Sequence, residues 1–140
     1  MNGRSTQSSV AQLRLVVEAD DFDEAVRFYR DALGLGEEFY VESDGGARVI
    51  ALQAGRATLE IVNAAQRRLI DDLEVGRDVS RSVRVAFEVS DTDQTTDRLV
   101  AAGAELIAPP TETPWRSLNS RLEASAGLQI TLFEELEDND

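Results

Sequence analysis

The sequence contains no histidine, no cysteine and no lysine, and all fourteen of its basic residues are arginine. These absences exclude histidine-based catalytic triads, thiolate nucleophiles, Schiff-base lysines and zinc sites built from nitrogen or sulfur ligands. General acid–base chemistry would therefore fall to aspartate, glutamate or tyrosine. A metal ion would find only carboxylate and carbonyl oxygens, which suit Mg²⁺, Ca²⁺ or Mn²⁺.

Long apolar runs are also absent. No stretch approaches membrane-spanning length, and the first nine residues, MNGRSTQSS, lack the apolar region of a signal peptide. We therefore expect a cytoplasmic protein with no membrane partner. With 140 residues, of which 42% are hydrophobic, the chain is long enough to bury one core and is expected to form a single domain, 1–140.

Positive charge is scarce, since 14 basic residues face 27 acidic ones and the formal net charge is −13. A surface that binds nucleic acid needs a dominant basic patch, so no nucleic-acid partner is expected. The negative charge would steer a cationic ligand toward the protein, or it would simply keep the surface soluble. The composition leaves both interpretations open.

What the chain does contain is one strand–helix unit, used twice. Residues 13–19 alternate as a strand does, with Leu13, Leu15 and Val17 on one face and Arg14 on the other. Seventy residues later, VRVAFEVSDTDQTTDRLVAAG repeats the strand, the acidic helix start and the terminal glycine, and Arg84 matches Arg14. This similarity indicates an internal duplication.

An amphipathic helix follows the first of these strands. Asp20 or Asp21 offers an N-cap oxygen, and Gly34 is expected to end the helix. Apolar residues recur at helical spacing and predict the packed stripe, which is Phe22, Ala25, Val26, Tyr29 and Leu33.

The remaining segments complete two β-α-β-β-β modules, an α+β architecture with helices outside a curved mixed sheet. Module one spans 10–63, a linker spans 64–81, module two spans 82–135 and an acidic tail spans 136–140. The linker allows a short helix with Leu69, Ile70 and Leu73 as its apolar side. In module two, three prolines predict an irregular loop at 109–116, and a hairpin follows over 117–135.

This arrangement resembles the vicinal oxygen chelate superfamily, which includes glyoxalase I, bleomycin-resistance proteins and extradiol dioxygenases. The residues that carry the resemblance are DDFDEAVRFYRDALGLGEEF (20–39), SVRVAFEVSD (82–91) and PPTETPWRSLNSRLEASAGLQITLFE (109–134). The resemblance implies the fold and, because the family closes its curved sheets with a second chain, a homodimer. It does not fix the function, since this fold hosts both enzymes and binding proteins.

Metal-using members of the family coordinate their ion from four strand positions. Matched to this sequence, these positions hold Arg14, Glu60, Arg84 and Thr131, of which only Glu60 is a plausible ligand. Two arginines would oppose a cation by several kcal/mol at an effective dielectric constant of about 20. We therefore expect no metal and no cofactor, and none of the metal-dependent glyoxalase, dioxygenase or thiol-transfer activities.

The two arginines allow two interpretations. Arg14 and Arg84 either form buried salt bridges with Glu60, Glu18 or Glu88, or they present their guanidinium groups to a carboxylate, phenolate or quinone oxygen of a ligand. Both interpretations hold together if one arginine is paired and the other is free.

Alternation and the resemblance together predict the cleft. Thr58 and Val62 should face it with Glu60, Gln129 should face it with Thr131, and one of Phe39 and Tyr40 should reach it. Trp115 occupies the loop that often places an aromatic residue over the ligand in this family, or it packs against the domain. The predicted ligand-binding residues are Arg14, Tyr40, Glu60, Arg84, Trp115, Thr131 and Phe133.

Two functions follow from these residues. The first is a non-catalytic protein of the bleomycin-resistance type, which sequesters an aromatic or amphipathic natural product and has no catalytic residue. The second is a metal-independent lyase or isomerase with Glu60 as the base and Arg14 or Arg84 stabilising an oxyanion. A regulatory metabolite-binding protein is a third possibility.

Overall fold

Alternating apolar and polar residues produce eight strands, which the computed structural model joins into one mixed sheet. The structure describes residues 8–137. The strands are β1 (Val10–Glu18), β2 (Gly36–Ser43), β3 (Ala47–Ala54), β4 (Ala57–Val62), β5 (Val83–Val89), β6 (Glu105–Glu112), β7 (Ser117–Glu123) and β8 (Gln129–Glu135). Most of the polar N-terminal stretch (1–7) and most of the predicted acidic tail (138–140) lie outside the described residues.

Two four-stranded halves share the sheet, in the order β2-β3-β4-β1-β5-β8-β7-β6. β1 pairs in parallel with β4, and β5 pairs in parallel with β8. At the centre β1 and β5 are antiparallel, with Leu15 opposite Val85, so an approximate two-fold axis relates the halves. The predicted tandem architecture is confirmed, and both modules pair side by side within one chain.

The first helix begins as predicted but changes its form after five residues. The Asp21 carboxylate accepts a hydrogen bond from the Glu24 backbone N–H at 3.1 Å and caps α1 (Phe22–Val26). A π-helical turn follows over Arg27–Ala32. Because this wider turn shifts the residues after it around the helix axis, Leu33, which the regular stripe predicts to be packed, is exposed.

The corresponding helix of module two is regular. Asp91 caps α3 (Thr92–Ala101) by accepting a hydrogen bond from the Gln94 backbone N–H at 2.9 Å. Both helices cover the convex face, as predicted, each over its own apolar cluster. The buried members are Phe22, Val26, Ile50, Leu52 and Ile61 beneath α1, and Val89, Leu122, Ile130 and Leu132 beneath α3.

The predicted linker contains a third helix, α2 (Ala64–Glu74), which contacts strands of both modules. The Asn63 side chain caps it by accepting a hydrogen bond from the Gln66 backbone N–H at 2.9 Å. The helix was expected to bury an apolar side, but its buried residues are polar and its leucines are only half-buried. No helix within residues 8–137 is long and apolar enough to cross a membrane.

The proline-rich segment is a correction to the sequence prediction. Residues predicted as an irregular loop at 109–116 extend β6 to Glu112, with shifts in its register against β7 on either side of Ala108. Pro109 and Pro110 are tolerated because β6 is an edge strand, where the missing N–H need not face a neighbour. Only residues 113–116 form the turn into β7.

Candidate functional site

The concave face of the sheet forms a cleft of about 660 Å³. Its apolar lining residues are Phe39, Val41, Val49, Leu69, Ile70, Ala86, Trp115, Phe133 and Leu136. Its charged lining residues are Arg14, Arg84, Arg116, Glu60, Glu74 and Glu135. The lining is therefore formally neutral, although the chain as a whole carries −13.

Six of the seven predicted site residues line this cleft, namely Arg14, Glu60, Arg84, Trp115, Thr131 and Phe133. The strand register explains why they meet. Val16 lies opposite Glu60, and Ala86 lies opposite Thr131, so the arginines two residues earlier in β1 and β5 point to the same face. Their contact with a ligand remains a prediction.

Tyr40 is placed differently from the sequence prediction. It lies on the convex side, where its ring centroid is 6.3 Å from that of Phe22 and its hydroxyl donates to Glu42 at 2.5 Å. The neighbouring Phe39 lines the cleft instead. The pairing of β2 with β3 shifts between Glu37 and Phe39, and this irregularity settles which of the two aromatic residues faces inward.

Arg14 is held by several neighbours. Its Nε donates to Gln12 Oε1 at 3.1 Å, and its terminal nitrogens lie 3.8 Å from Glu60 and 3.9 Å from Glu135. The guanidinium carbon lies 4.9 Å from the centre of the Phe133 ring, close enough for a cation–π contact. This guanidinium therefore has two carboxylates, an amide oxygen and an aromatic ring beside it, while part of the side chain stays open to the cleft.

Arg84 has far fewer partners. It is only 8% exposed, and its one hydrogen bond to residues 8–137 runs from Nη1 to Thr131 Oγ1 at 2.9 Å. No carboxylate of the described chain lies within 4 Å of it. Burial, followed by repulsion from the Arg121 guanidinium, lowers the pKa of Arg84.

Glu60 lies between the two arginines on the floor of the cleft. Burial raises the pKa of this carboxyl group, although the positive charges of Arg84 and Arg14 act in the opposite direction. The 3.8 Å separation from Arg14 is too long for a hydrogen bond. A buried carboxylate with a raised pKa, and with no hydrogen bond to its side chain from residues 8–137, can accept a proton from a bound molecule.

Sequence reasoning missed a buried polar network at one wall of the cleft. Arg121 of β7 is fully buried and donates to Asp71 Oδ1 at 3.0 Å and to Glu74 Oε1 at 2.7 Å, both on α2. It also donates to Ser80 and Gln129, and Asn119 donates to Glu74 at 2.7 Å. The only available signal was Arg121 on the inward face of a predicted strand, with its acidic partners far away in the chain.

Asp71 organises the chain between α2 and β5. It accepts hydrogen bonds from the backbone N–H groups of Val79 and Ser80 at 2.9 and 2.7 Å, and also from the Ser80 hydroxyl. Burial favours its neutral form, but the bonds from Ser80, Val79 and Arg121 together hold the pKa of Asp71 below its usual value. The network therefore fixes α2 over the concave face through charged groups.

Trp115 lies at the mouth of the cleft and is half exposed. Its loop is closed by a hydrogen bond from the Thr113 N–H to the Ser117 carbonyl at 2.8 Å. The Leu136 N–H donates to the Arg116 carbonyl at 2.9 Å, so the end of the chain supports the same loop. Trp115 therefore lines the edge of the cleft and is not packed into the core.

The residues at the family's metal positions do not fit a divalent cation. They bring two arginines, one glutamate and one threonine to the cleft, and nowhere in residues 8–137 do three potential acidic ligands converge on a metal site. The floor suits hydrogen bonding to an oxyanion better than coordination of a cation. Absence of specific divalent metal binding remains a prediction.

Comparisons with known proteins agree with this geometry. The family model described as the Glyoxalase/Bleomycin resistance protein/Dioxygenase superfamily matches residues 11–132. No curated protein matches the sequence significantly.

Several solved structures share the fold. Methylmalonyl-CoA epimerase from Mycobacterium tuberculosis is 20% identical, with a TM-score of 0.63 over 96% of this chain and 95% of that one. A Streptomyces coelicolor methylmalonyl-CoA epimerase, in complex with 2-nitronate-propionyl-CoA, is 18% identical, with a TM-score of 0.62 over 93% and 99%. A 4-hydroxymandelate synthase mutant from Streptomyces coelicolor is 23% identical, with a TM-score of 0.62 over 95% of this chain and 40% of that one.

Proposed function

We propose, from the premise that this chain belongs to the Glyoxalase/Bleomycin resistance protein/Dioxygenase superfamily, that it binds a small amphipathic molecule in its cleft without changing it. The observation that carries the proposal is the cleft itself, with apolar walls, a polar floor and a half-exposed tryptophan at its mouth. Concave sites that combine apolar walls with a few convergent polar groups are typical of small-molecule binding.

The biological role that fits such binding is sequestration. Phe39, Val41 and Phe133 offer flat apolar contact to an aromatic ring, and Trp115 can cover it from the mouth. The ligand class we propose is therefore an aromatic or amphipathic natural product. Its binding would sequester it, as proteins of antibiotic self-resistance do. A cytoplasmic location belongs to the same proposal.

A homodimer is also part of the proposal. The convex face of the central strands leaves Leu13, Leu15 and Val83 exposed between the two helices, and exposed apolar residues in a group favour an interface. We expect a second copy of the chain to cover them, with a total buried area on the order of 1,600 Å² or more. Analytical ultracentrifugation at micromolar concentration would detect the dimer, and a monomer there would contradict it.

A metal-independent enzyme is the second candidate, and the buried Glu60 favours it. A carboxyl group with a raised pKa beside two arginines can move a proton while the arginines stabilise an oxyanion. The fold neighbours named as epimerases catalyse reactions of the kind that need such proton transfer, which supports the alternative at the level of fold only.

Native mass spectrometry after mixing the protein with an extract of the source organism, followed by chiral chromatography of the released compound, distinguishes the two functions, because an isomer has the same mass as its parent. We expect a bound species with the same mass and the same structure as the free compound, because the proposed protein only binds. The wild type and Glu60→Gln should both retain it. A chemically changed or epimerised compound from the wild type, absent with Glu60→Gln, would replace the binding function by the enzymatic one.

Metal content needs a separate measurement. After dialysis against a weak chelator, elemental analysis should find no stoichiometric Zn²⁺, Ni²⁺ or Fe²⁺, because two guanidinium groups occupy the positions around such an ion. One retained metal ion per chain would contradict this prediction, and glyoxalase activity on the methylglyoxal–glutathione adduct would do the same.

A further inference from the structure

Arg84 is a buried cation without a direct counter-ion in the described part of the chain. It lines the cleft, is 8% exposed and has Thr131 as its single side-chain hydrogen-bond partner among residues 8–137. A guanidinium offers five N–H donors, so most of its hydrogen-bonding capacity remains unused. Burying a charge with so few partners is costly, and proteins rarely retain such an arrangement without a use for it.

Its symmetry-related partner shows what a structural arginine looks like in the same cleft. Arg14 contacts Gln12, Glu60, Glu135 and the Phe133 ring. The duplicated fold therefore brings two arginines to equivalent positions in the cleft. Arg14 has two carboxylates within 4 Å, whereas among residues 8–137 Arg84 has only a hydroxyl within hydrogen-bond distance. The difference lies in the neighbours, since the residue type and the strand position are the same.

We propose that Arg84 receives a carboxylate, or a similarly small oxyanion, of the ligand, so that the ligand is an amphipathic organic acid. This inference rests on the proposed binding function and adds the chemical class of the ligand. A guanidinium fork matches a carboxylate with two parallel hydrogen bonds. The apolar body of the acid would lie against Phe39 and Phe133, toward Trp115 at the mouth.

The other charged groups around the floor are compatible with an anion there. Glu60 on β4 lies near Arg84 but beyond 4 Å, and it is drawn to Arg14 as well. Glu74 on α2 accepts hydrogen bonds from Arg121 and Asn119, so it acts on Arg84 only through its charge and not by a direct contact. Glu135 on β8 lies 3.9 Å from Arg14. Each nearby carboxylate thus has another cation or donor in contact or close by.

Isothermal titration calorimetry with three matched probes tests the inference. The probes share one ring system and differ only in the head group: 2-naphthoate, 2-naphthamide and 2-naphthylmethylammonium. We expect the wild type to bind 2-naphthoate at least tenfold more tightly than the other two. In Arg84→Met this preference should disappear, while weak binding of the neutral amide is kept.

Two further variants keep the result specific. Arg14→Met should weaken all three probes together, because it removes packing against Phe133, and should leave the preference for the acid in place. Arg48 lies over the Phe22 ring on the convex face, outside the cleft. Arg48→Met should therefore change neither the three affinities nor the preference for the acid. Thermal unfolding of Arg84→Met should show a melting temperature equal to or above that of the wild type, because the variant removes a buried cation without a direct carboxylate partner.

The outcomes separate the two proposals. Equal binding of the acid and the amide by the wild type would overturn the organic-acid inference and leave the binding function standing. Retention of the preference in Arg84→Met would also overturn it. Failure of all three probes to bind would count against the binding function itself. If Arg84→Met does not fold, Arg84→Lys decides, since it keeps the charge but lacks the fork and should reduce the preference.

Discussion

The two halves of the cleft occupy equivalent positions in a duplicated fold but carry side chains of different polarity at those positions. Val16 in β1 lies opposite Glu60 of β4, and Ala86 in β5 lies opposite Thr131 of β8. The neighbouring strands continue the equivalence, because Ala51 pairs with Glu60 in module one and Arg121 pairs with Thr131 in module two. Ala51 in module one and the fully buried Arg121 in module two therefore occupy equivalent positions.

This difference shows which parts of a duplicated module are free to diverge. The convex face keeps its apolar residues in both halves because each helix must cover them. The concave face is not covered by α1 or α3, so its residues need not be apolar. Module one keeps apolar residues there, such as Phe39 and Val49, whereas in module two Arg121 and Asn119 bind the acidic side of α2. Module two also contributes Phe133 and Trp115 to the lining, so the difference between the halves is the polar wall that only module two builds with α2.

The buried network should dominate the stability of module two. Arg121→Ala leaves Glu74 buried without its cation and Asp71 with only the longer 3.7 Å contact to Arg67, and we expect a loss in the free energy of unfolding of about 3–5 kcal/mol. Urea denaturation measures it. Arg81→Ala is the matched control, because Arg81 pairs with Glu123 at the surface and its removal should cost less than about 1 kcal/mol. Similar losses in both variants would show that the polar wall does not stabilise the fold.

Trp115 should matter for binding and little for stability. Trp115→Ala removes a half-exposed ring from the mouth of the cleft, so we expect affinity for an aromatic ligand to fall about tenfold, or about 1.4 kcal/mol. The melting temperature should stay nearly unchanged. Because Trp115 is the only tryptophan, its fluorescence reports binding directly. Tight binding without any change in this emission would place the ligand elsewhere.

Two adjacent aromatic residues test which face of β2 belongs to the site. Phe39→Ala should weaken binding of 2-naphthoate several-fold, by about 1 kcal/mol, because the ring is part of the apolar lining that module one contributes to the cleft. Tyr40→Ala should leave the affinity unchanged, since Tyr40 packs near Phe22 on the convex side. Calorimetric titration of both variants gives the comparison. A larger effect from Tyr40→Ala would mean that the ligand binds outside the cleft.

Glu60 should give the smallest effect, and one that depends on pH. Its pKa is raised on folding, so the unfolded chain loses this proton first and the stability of the native state falls as pH rises from about 4.3 through the folded pKa. Glu60→Gln should therefore raise stability at pH 7, on the order of 1 kcal/mol, and the gain should vanish below about pH 4. Thermal unfolding across this range measures it. A destabilised variant at pH 7 would show that Glu60 is needed as a counter-ion for Arg14 and Arg84.

Charge illustrates how composition and site can disagree. A net charge of −13 permits the expectation that a cationic ligand is steered to the protein. The cleft lining is formally neutral, and the buried Arg84 in it has no carboxylate within 4 Å among residues 8–137. The net charge determines the long-range electrostatic field around the molecule, whereas recognition of a ligand depends on a few groups within contact distance. The two statements concern different distances, so only the second bears on the proposed ligand.

The sequence by itself determined the features that depend on local pattern. Period-two alternation placed Leu15 and Arg14 on opposite faces of β1, and the spacing of seventy residues revealed the duplication. Asp21, one of the two N-cap candidates of the first helix, caps it, and Asp91 caps the matching helix of module two. These features rest on interactions between residues close in the chain or on one strand's own geometry.

Only the tertiary structure decided the features that depend on partners distant in the chain. The pairing of β2 with β3 selected Phe39 over Tyr40. Arg121 meets Asp71 fifty residues away, and this contact turned α2 polar side inward. The same applies to the two arginines, because Arg14 and Arg84 are alike in pattern and differ only in which side chains the folded sheet brings beside them. Alternation specifies the face of a strand, but the neighbours on that face come from other strands, and their register is fixed only when the chain folds.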